Sequence, residues 1–108
     1  MERYLLIESR DPFDCAEVSN DFQLAVDLAR AGNDTTLLFI QNGVLPLRGP
    51  AHREELRRLH DNGVKLLCDD FSLAERGMQD AHLAGGVLVT GIQTVVAQLA
   101  SRARVIWL

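Results

Sequence analysis

Basic residues never gather in this sequence. Eleven lysines and arginines stand against fifteen acids over 108 residues, with no stripe of one sign, which argues against a nucleic-acid partner held through phosphates. Long apolar runs are missing as well. None approaches the roughly 20 residues that span a bilayer, and the opening MERYLLIESRD has neither the apolar segment nor the small-residue cleavage site of a secretory leader. A cytoplasmic protein without a membrane contact is expected. Cysteine is scarce: Cys15 and Cys68, far apart in the chain, read as free thiols and not as a structural disulfide. The three histidines, His52, His60 and His82, lack the close pairing of a zinc site, and no Gly-x-Ser-x-Gly is present for a serine hydrolase. The loop SRDPFDC has no glycine-rich or hydroxyl-rich cradle for the phosphates of a flavin or nucleotide. Neither a metal nor an organic cofactor is expected.

What remains is an ordinary globular composition, 47% hydrophobic and 24% charged, sufficient for one core and one domain over 1–108. Short continuous apolar runs recur at RYLLIES (3–9), TTLLFIQ (35–41), GVKLLC (63–68) and ARVIWL (103–108), the character of strands buried on both faces. GGVLV (85–89) offers a further short strand. Between them lie helical patterns. Val18, Phe22, Ala25, Val26 and Ala29 form a stripe widened by Leu24 and Leu28, ending where Gly32 suits a left-handed cap. Residues 51–63 place Leu56 and Leu59 inward. Ser72 with Glu75 matches a capping box opening a short helix that Gly77 can close. In the last helix Ile92, Val95, Val96 and Leu99 share a face. Strands alternating with helices predict right-handed crossovers and an α/β domain with a mostly parallel sheet of about five strands, covered on both faces. The stretch QNGVLPLRGP (41–50) is a loop with apolar Val44, Leu45 and Leu47, read either as a packed connection or as a loop that covers a site or contacts a subunit.

In open parallel sheets ligands and catalytic groups gather at the strands' carboxyl ends, and residues 10–16, 42–50 and 68–72 emerge there. Both cysteines should therefore share one edge of the sheet. If Asp14 caps the first helix, with Glu17 following, Cys15 lies in its first turn. Cys68 ends the third strand before a short helix whose free N–H groups favour a thiolate, while Asp69 and Asp70 oppose one. Arg48 or Arg76 could supply the missing positive charge. Asp69 with Asp70 could also suggest a magnesium-binding pair, though adjacent acids before a helix are more often caps and solvated charge.

QNGV after the second strand, SLAERG after the third and the closing SRARVIWL together resemble the DsrE/DsrF family, which includes the DsrEFH and TusBCD sulfur-relay subunits. The resemblance covers almost the whole chain. It implies a three-layer α/β/α fold of flavodoxin-like architecture and assembly into trimers or hexamers of one chain, or with paralogues. It also implies a persulfide-carrying cysteine near the end of the third strand, matched here by Cys68, exchanging sulfur with a donor or acceptor protein. Cys15 is the weaker candidate, and Asn42, Gly43, Arg48, Asp69, Asp70, Ser72 and Arg76 are the supporting residues. CDDFSLAERG departs from the carriers' pattern by its two acids. That turn is similar to the family's subunits that carry no sulfur, so two functions stand: a persulfide carrier, and a non-catalytic oligomeric member that binds a ligand or protein, with Cys68 as packing.

Overall fold

A computed structural model describes residues 1–79 and 82–108. Five strands form one parallel sheet: β1 (Arg3–Glu8), β2 (Asp34–Phe39), β3 (Lys65–Asp69), β4 (Val87–Thr90) and β5 (Arg104–Trp107), in the order β4-β3-β2-β1-β5. β1 and β2 lie in the middle, and their last four residues and last five residues respectively are buried, as continuous apolar runs require. The order dictates the layers. The chain steps from β1 to β4 in one direction, so right-handed crossovers place α1 (Glu17–Arg30), α2 (Arg53–Asp61) and α3 (Asp70–Glu75) on one face. The return from β4 across the sheet to β5 puts α4 (Gln93–Ala100) on the other.

The two faces are unequal. Leu6, Leu37, Phe39, Leu66 and Cys68 point into the core under the first layer, against Val18, Phe22, Leu56, Leu59 and Leu73. On the far face the core holds only Leu5, Ile7 and Leu38, with Val95 of α4 partly buried against them. No residue of α4 is fully buried. The expected inward stripe is therefore split: Val95 meets the sheet, whereas Ile92, Val96 and Leu99 are exposed. With Leu88 and Trp107 they leave this face largely apolar and uncovered.

Local signals are realised with shifts. Gly32 and Gly77 take the left-handed conformation at φ +91° and +66°, ending α1 and α3 as anticipated. Residues Gln41–Leu47 are not an open loop but consecutive 3₁₀ turns that bury Val44, Pro46 and Leu47, so the packed-connection reading describes them. Asp14 does not cap α1. The helix starts after Ala16 without a side-chain cap, and Asp11 shapes the loop instead, its carbonyl accepting from the N–H groups of Asp14 and Cys15. Cys15 thus precedes the helix. No helix among the described residues is long and apolar enough to cross a membrane.

Candidate functional site

The carboxyl ends of β1, β2 and β3 lead into the loop before α1, the 3₁₀ segment and α3, which together surround a polar lattice. At its centre Asp69, the residue before α3, accepts from Ser72 N–H at 2.9 Å and from Ser72 Oγ at 2.6 Å. Asp69, and not Ser72, is therefore the cap, and its Oδ2 satisfies one of the free amides of the first turn. Ser72 Oγ in turn accepts from the backbone N–H of Gln41 at 2.8 Å. Gln41 holds a left-handed φ of +50°, a conformation costly for a residue with a Cβ and stabilised by that bond. Arg76 donates from Nε to Asn42 Oδ1 at 3.1 Å and from Nη1 to the Ser72 carbonyl at 3.2 Å. Gly43 closes the lattice: a Cβ there would stand 2.2 Å from the Glu8 carbonyl oxygen, so only glycine permits the 3₁₀ segment to lie against β1.

Five of the expected site residues, Asn42, Gly43, Asp69, Ser72 and Arg76, thus come together. Arg48 does not join them; it pairs by a single bridge with Leu83. Asp70 is exposed. Among the described residues neither Arg48 nor Arg76 forms an ion pair with Asp69 or Asp70, since Arg76 lies 3.7 Å from Glu75. The positive charge that Cys68 needs is therefore not supplied.

Cys68 lies behind this lattice, on the side of the sheet covered by the first layer. It is 0% exposed and packed in the main core. Burial pushes its thiol up to about 11, and the charges of Asp69 and Asp70 add to the rise, so the neutral thiol prevails at physiological pH. The expectation of a helix-stabilised thiolate is corrected on this point: Asp69 already takes the Ser72 amide at the start of α3, and the sulfur is packed among apolar side chains. Cys15 is free and half-buried, in the same loop as Arg10.

Arg10 belongs to a second charged cluster that the sequence reading missed. Its guanidinium donates to Asp21 at 3.0 Å and Glu17 at 3.2 Å. Glu8, at the end of β1, is wholly buried, and neither of its carboxyl oxygens has a hydrogen-bond partner among the described residues. The approach of Arg10 Nε, 3.9 Å, is too long for one. Burial, and then the neighbouring Asp21 carboxyl, raise Glu8 to about 8. Read as one acid within the apolar run 3–9, Glu8 gives no sequence signal of this.

On the far face, above the polar lattice, the strand ends and α4 enclose a cleft of about 330 Å³. Ile7, Ile40, Ile92 and Val95 form its floor and wall, and Phe71 and Trp107 flank it. Its polar groups are Gln41, Asp69, Ser72 and Glu75, with no lysine, arginine or histidine among the lining residues. Asp69 and Ser72 are therefore shared by the lattice and the cleft, while Cys68 is absent from the cleft. Among the described residues no group of three or more His, Cys, Asp or Glu is placed to hold a metal ion. Ser72 Oγ, donating to Asp69 and accepting from Gln41, has no histidine beside it and is not set up as a nucleophile.

A model of the DsrE/DsrF-like family matches residues 2–108. No curated protein sequence matches the chain. Among solved structures, the ychN protein from E. coli is similar over the whole of both chains, with TM-score 0.84 at 19% identity. The MTH1491 protein from Methanobacterium thermoautotrophicum, of unknown function, is similar over the whole of both chains, with TM-score 0.80 at 20% identity. The BT1422 protein from Bacteroides thetaiotaomicron, also of unknown function, shares the fold over 99% of this chain and 95% of its own, with TM-score 0.78 at 12% identity.

Proposed function

The chain belongs to the DsrE/DsrF-like family, and on that premise we propose that it is a non-relay member, a self-associating subunit that binds a ligand in the cleft over Asp69 and Ser72. The observation that carries this reading is the placement of Cys68: fully buried, raised to about 11 and outside the cleft. A persulfide carrier needs a sulfur that a donor can reach and that ionises near neutral pH. Cys68 meets neither condition, so it serves as a small core residue.

Self-association is supported by α4. A helix with apolar side chains on both its inner and outer sides belongs to a buried environment, and here Val95 points inward while Ile92, Val96 and Leu99 stand in solvent. Isolated exposed hydrophobics are ordinary, but a contiguous group on one layer marks a contact surface. A homo-oligomer, trimer or hexamer, is the proposed state.

One observation favours a second reading, in which sulfur passes through this chain at Cys15. That thiol is half-buried and not sealed, and the Arg10 guanidinium is near enough for the two groups to interact electrostatically. Incubation with a polysulfide donor followed by intact mass and peptide mapping separates the readings. The proposal expects no sulfur adduct on Cys68. An adduct on Cys68 at neutral pH in the folded protein would overturn it, and an adduct confined to Cys15 would select the second reading.

A further inference from the structure

We propose that the cleft takes an organic cation, an ammonium group carried on an apolar chain or ring; the inference rests on the ligand-binding reading above and names its ligand class. The argument begins with the balance of its walls. Aliphatic side chains from β1, the end of β2 and the start of α4 make the interior apolar, which suits a hydrocarbon body. The charged groups at its polar end, Asp69 and Glu75, have one sign. Asp70 stands beside them, exposed. The nearest cation, Arg76, is turned away to Asn42 and the Ser72 carbonyl, and only its 3.7 Å approach to Glu75 offsets that charge. An anionic ligand would meet repulsion, and a neutral one would leave the acids uncompensated.

The flanking rings make the preference more specific. Phe71 is 66% exposed and Trp107 62% exposed, although both line the cleft. Phe71, on the same short helix as Glu75, is a large aromatic side chain left open beside a carboxylate, a group that attracts a cation through its ring face. Trp107 closes the opposite side of the cleft. Asp69 is the rigid member of the set, since among the described residues both its hydrogen bonds fall on Oδ2, and Oδ1 is left to accept from a ligand. Its half-buried position makes the attraction stronger than at an open surface.

Trp107 is the single tryptophan of the chain, so its emission reports the cleft directly. The test titrates the full-length protein with hexylammonium, with 1-hexanol as the uncharged control and with hexanoate as the anion. The expected result is a saturable change in emission with the cation, about tenfold tighter than with hexanol, the factor corresponding to ~1.4 kcal/mol, and no response to hexanoate. Asp69→Asn keeps the helix cap and should reduce the preference for the cation over hexanol severalfold; Glu75→Gln, remote from the cap, should reduce it independently. Equal affinity for cation and alcohol would overturn the charge inference and leave the ligand cleft standing. No response to either, with emission shifting only on protein dilution, would assign the cleft to a second copy of the chain and overturn both.

Discussion

Ser72 Oγ lies 2.6 Å from Asp69 Oδ2, and the same Oδ2 accepts from the Ser72 backbone N–H. One carboxylate oxygen thereby ends β3, starts α3 and, through Ser72, holds the Gln41 amide. The pair ties the second and third strand ends together at the floor of the cleft.

Replacing Asp69 should measure that tie. Asp69→Ala removes the cap and leaves Ser72 without its acceptor, with an expected loss of about 1–2 kcal/mol. Asp69→Asn should retain most of the stability. Urea midpoints of the three proteins check the order; an alanine variant as stable as wild type would deny the cap its role.

The two thiols should differ in access. At neutral pH iodoacetamide is expected to modify Cys15 readily and Cys68 only as fast as the fold opens, because Cys68 is sealed. Adding urea below the unfolding midpoint should speed Cys68 much more than Cys15. The raised Cys68 value also has a sign: the folded state holds the proton more tightly than an unfolded thiol at 9.0. Its contribution to stability is therefore complete below about pH 9 and lost as pH rises towards 11. Peptide-resolved alkylation rates, followed by unfolding at pH 8 and 10, test both statements.

Glu8 predicts a pH dependence at lower pH. Folding raises its carboxyl from 4.5 to about 8, chiefly by burial and then by Asp21. The folded protein keeps a proton that the unfolded chain releases, so the contribution is full below pH 4.5 and declines as pH rises through 8, by at most about 1.4 kcal/mol per pH unit. Glu8→Gln, which cannot titrate, should lack this decline. The variant is expected to gain stability relative to wild type between pH 5 and 8, read from thermal midpoints in matched buffers, and a constant difference would show that Glu8 titrates normally.

Self-association through α4 should be sensitive to charge. Val96→Glu and Leu99→Glu lie on exposed positions, so neither should disturb the monomer's core by more than about 0.5 kcal/mol. Each is expected to convert the assembly to the 12.0 kDa chain in light scattering. A wild type that is already monomeric at micromolar concentration would remove the proposal.

Much of this molecule was legible in one dimension. The strands announced themselves as apolar runs, Gly32 and Gly77 marked helix ends, and alternating strands and helices implied a parallel sheet whose carboxyl edge collects both cysteines. The motifs around Asn42 and Ser72 located the lattice and pointed to the family. The cap was misplaced by three residues because Asp69 and Ser72 are both good caps and the choice depends on where β3 ends. Glu8 was missed because an acid at a strand end ordinarily reaches solvent. Trp107 was missed because the strand order that sets β5 beside β1, and so Trp107 on the rim of the cleft, is not written in the sequence.

The sequence by itself determined the fold class, since burial on both faces demands continuous apolar strands and those strands demand crossover helices. Only the tertiary structure decided where Cys68 lies. In a strand that is apolar throughout, successive side chains point to opposite faces, and nothing in the pattern says which face lies under three elements and which under one. The strand order settled it: stepping from β1 to β4 put the layer of α1, α2 and α3 on the face that holds the sulfur, and the single return to β5 left the other face open, with Asp69 at the cleft.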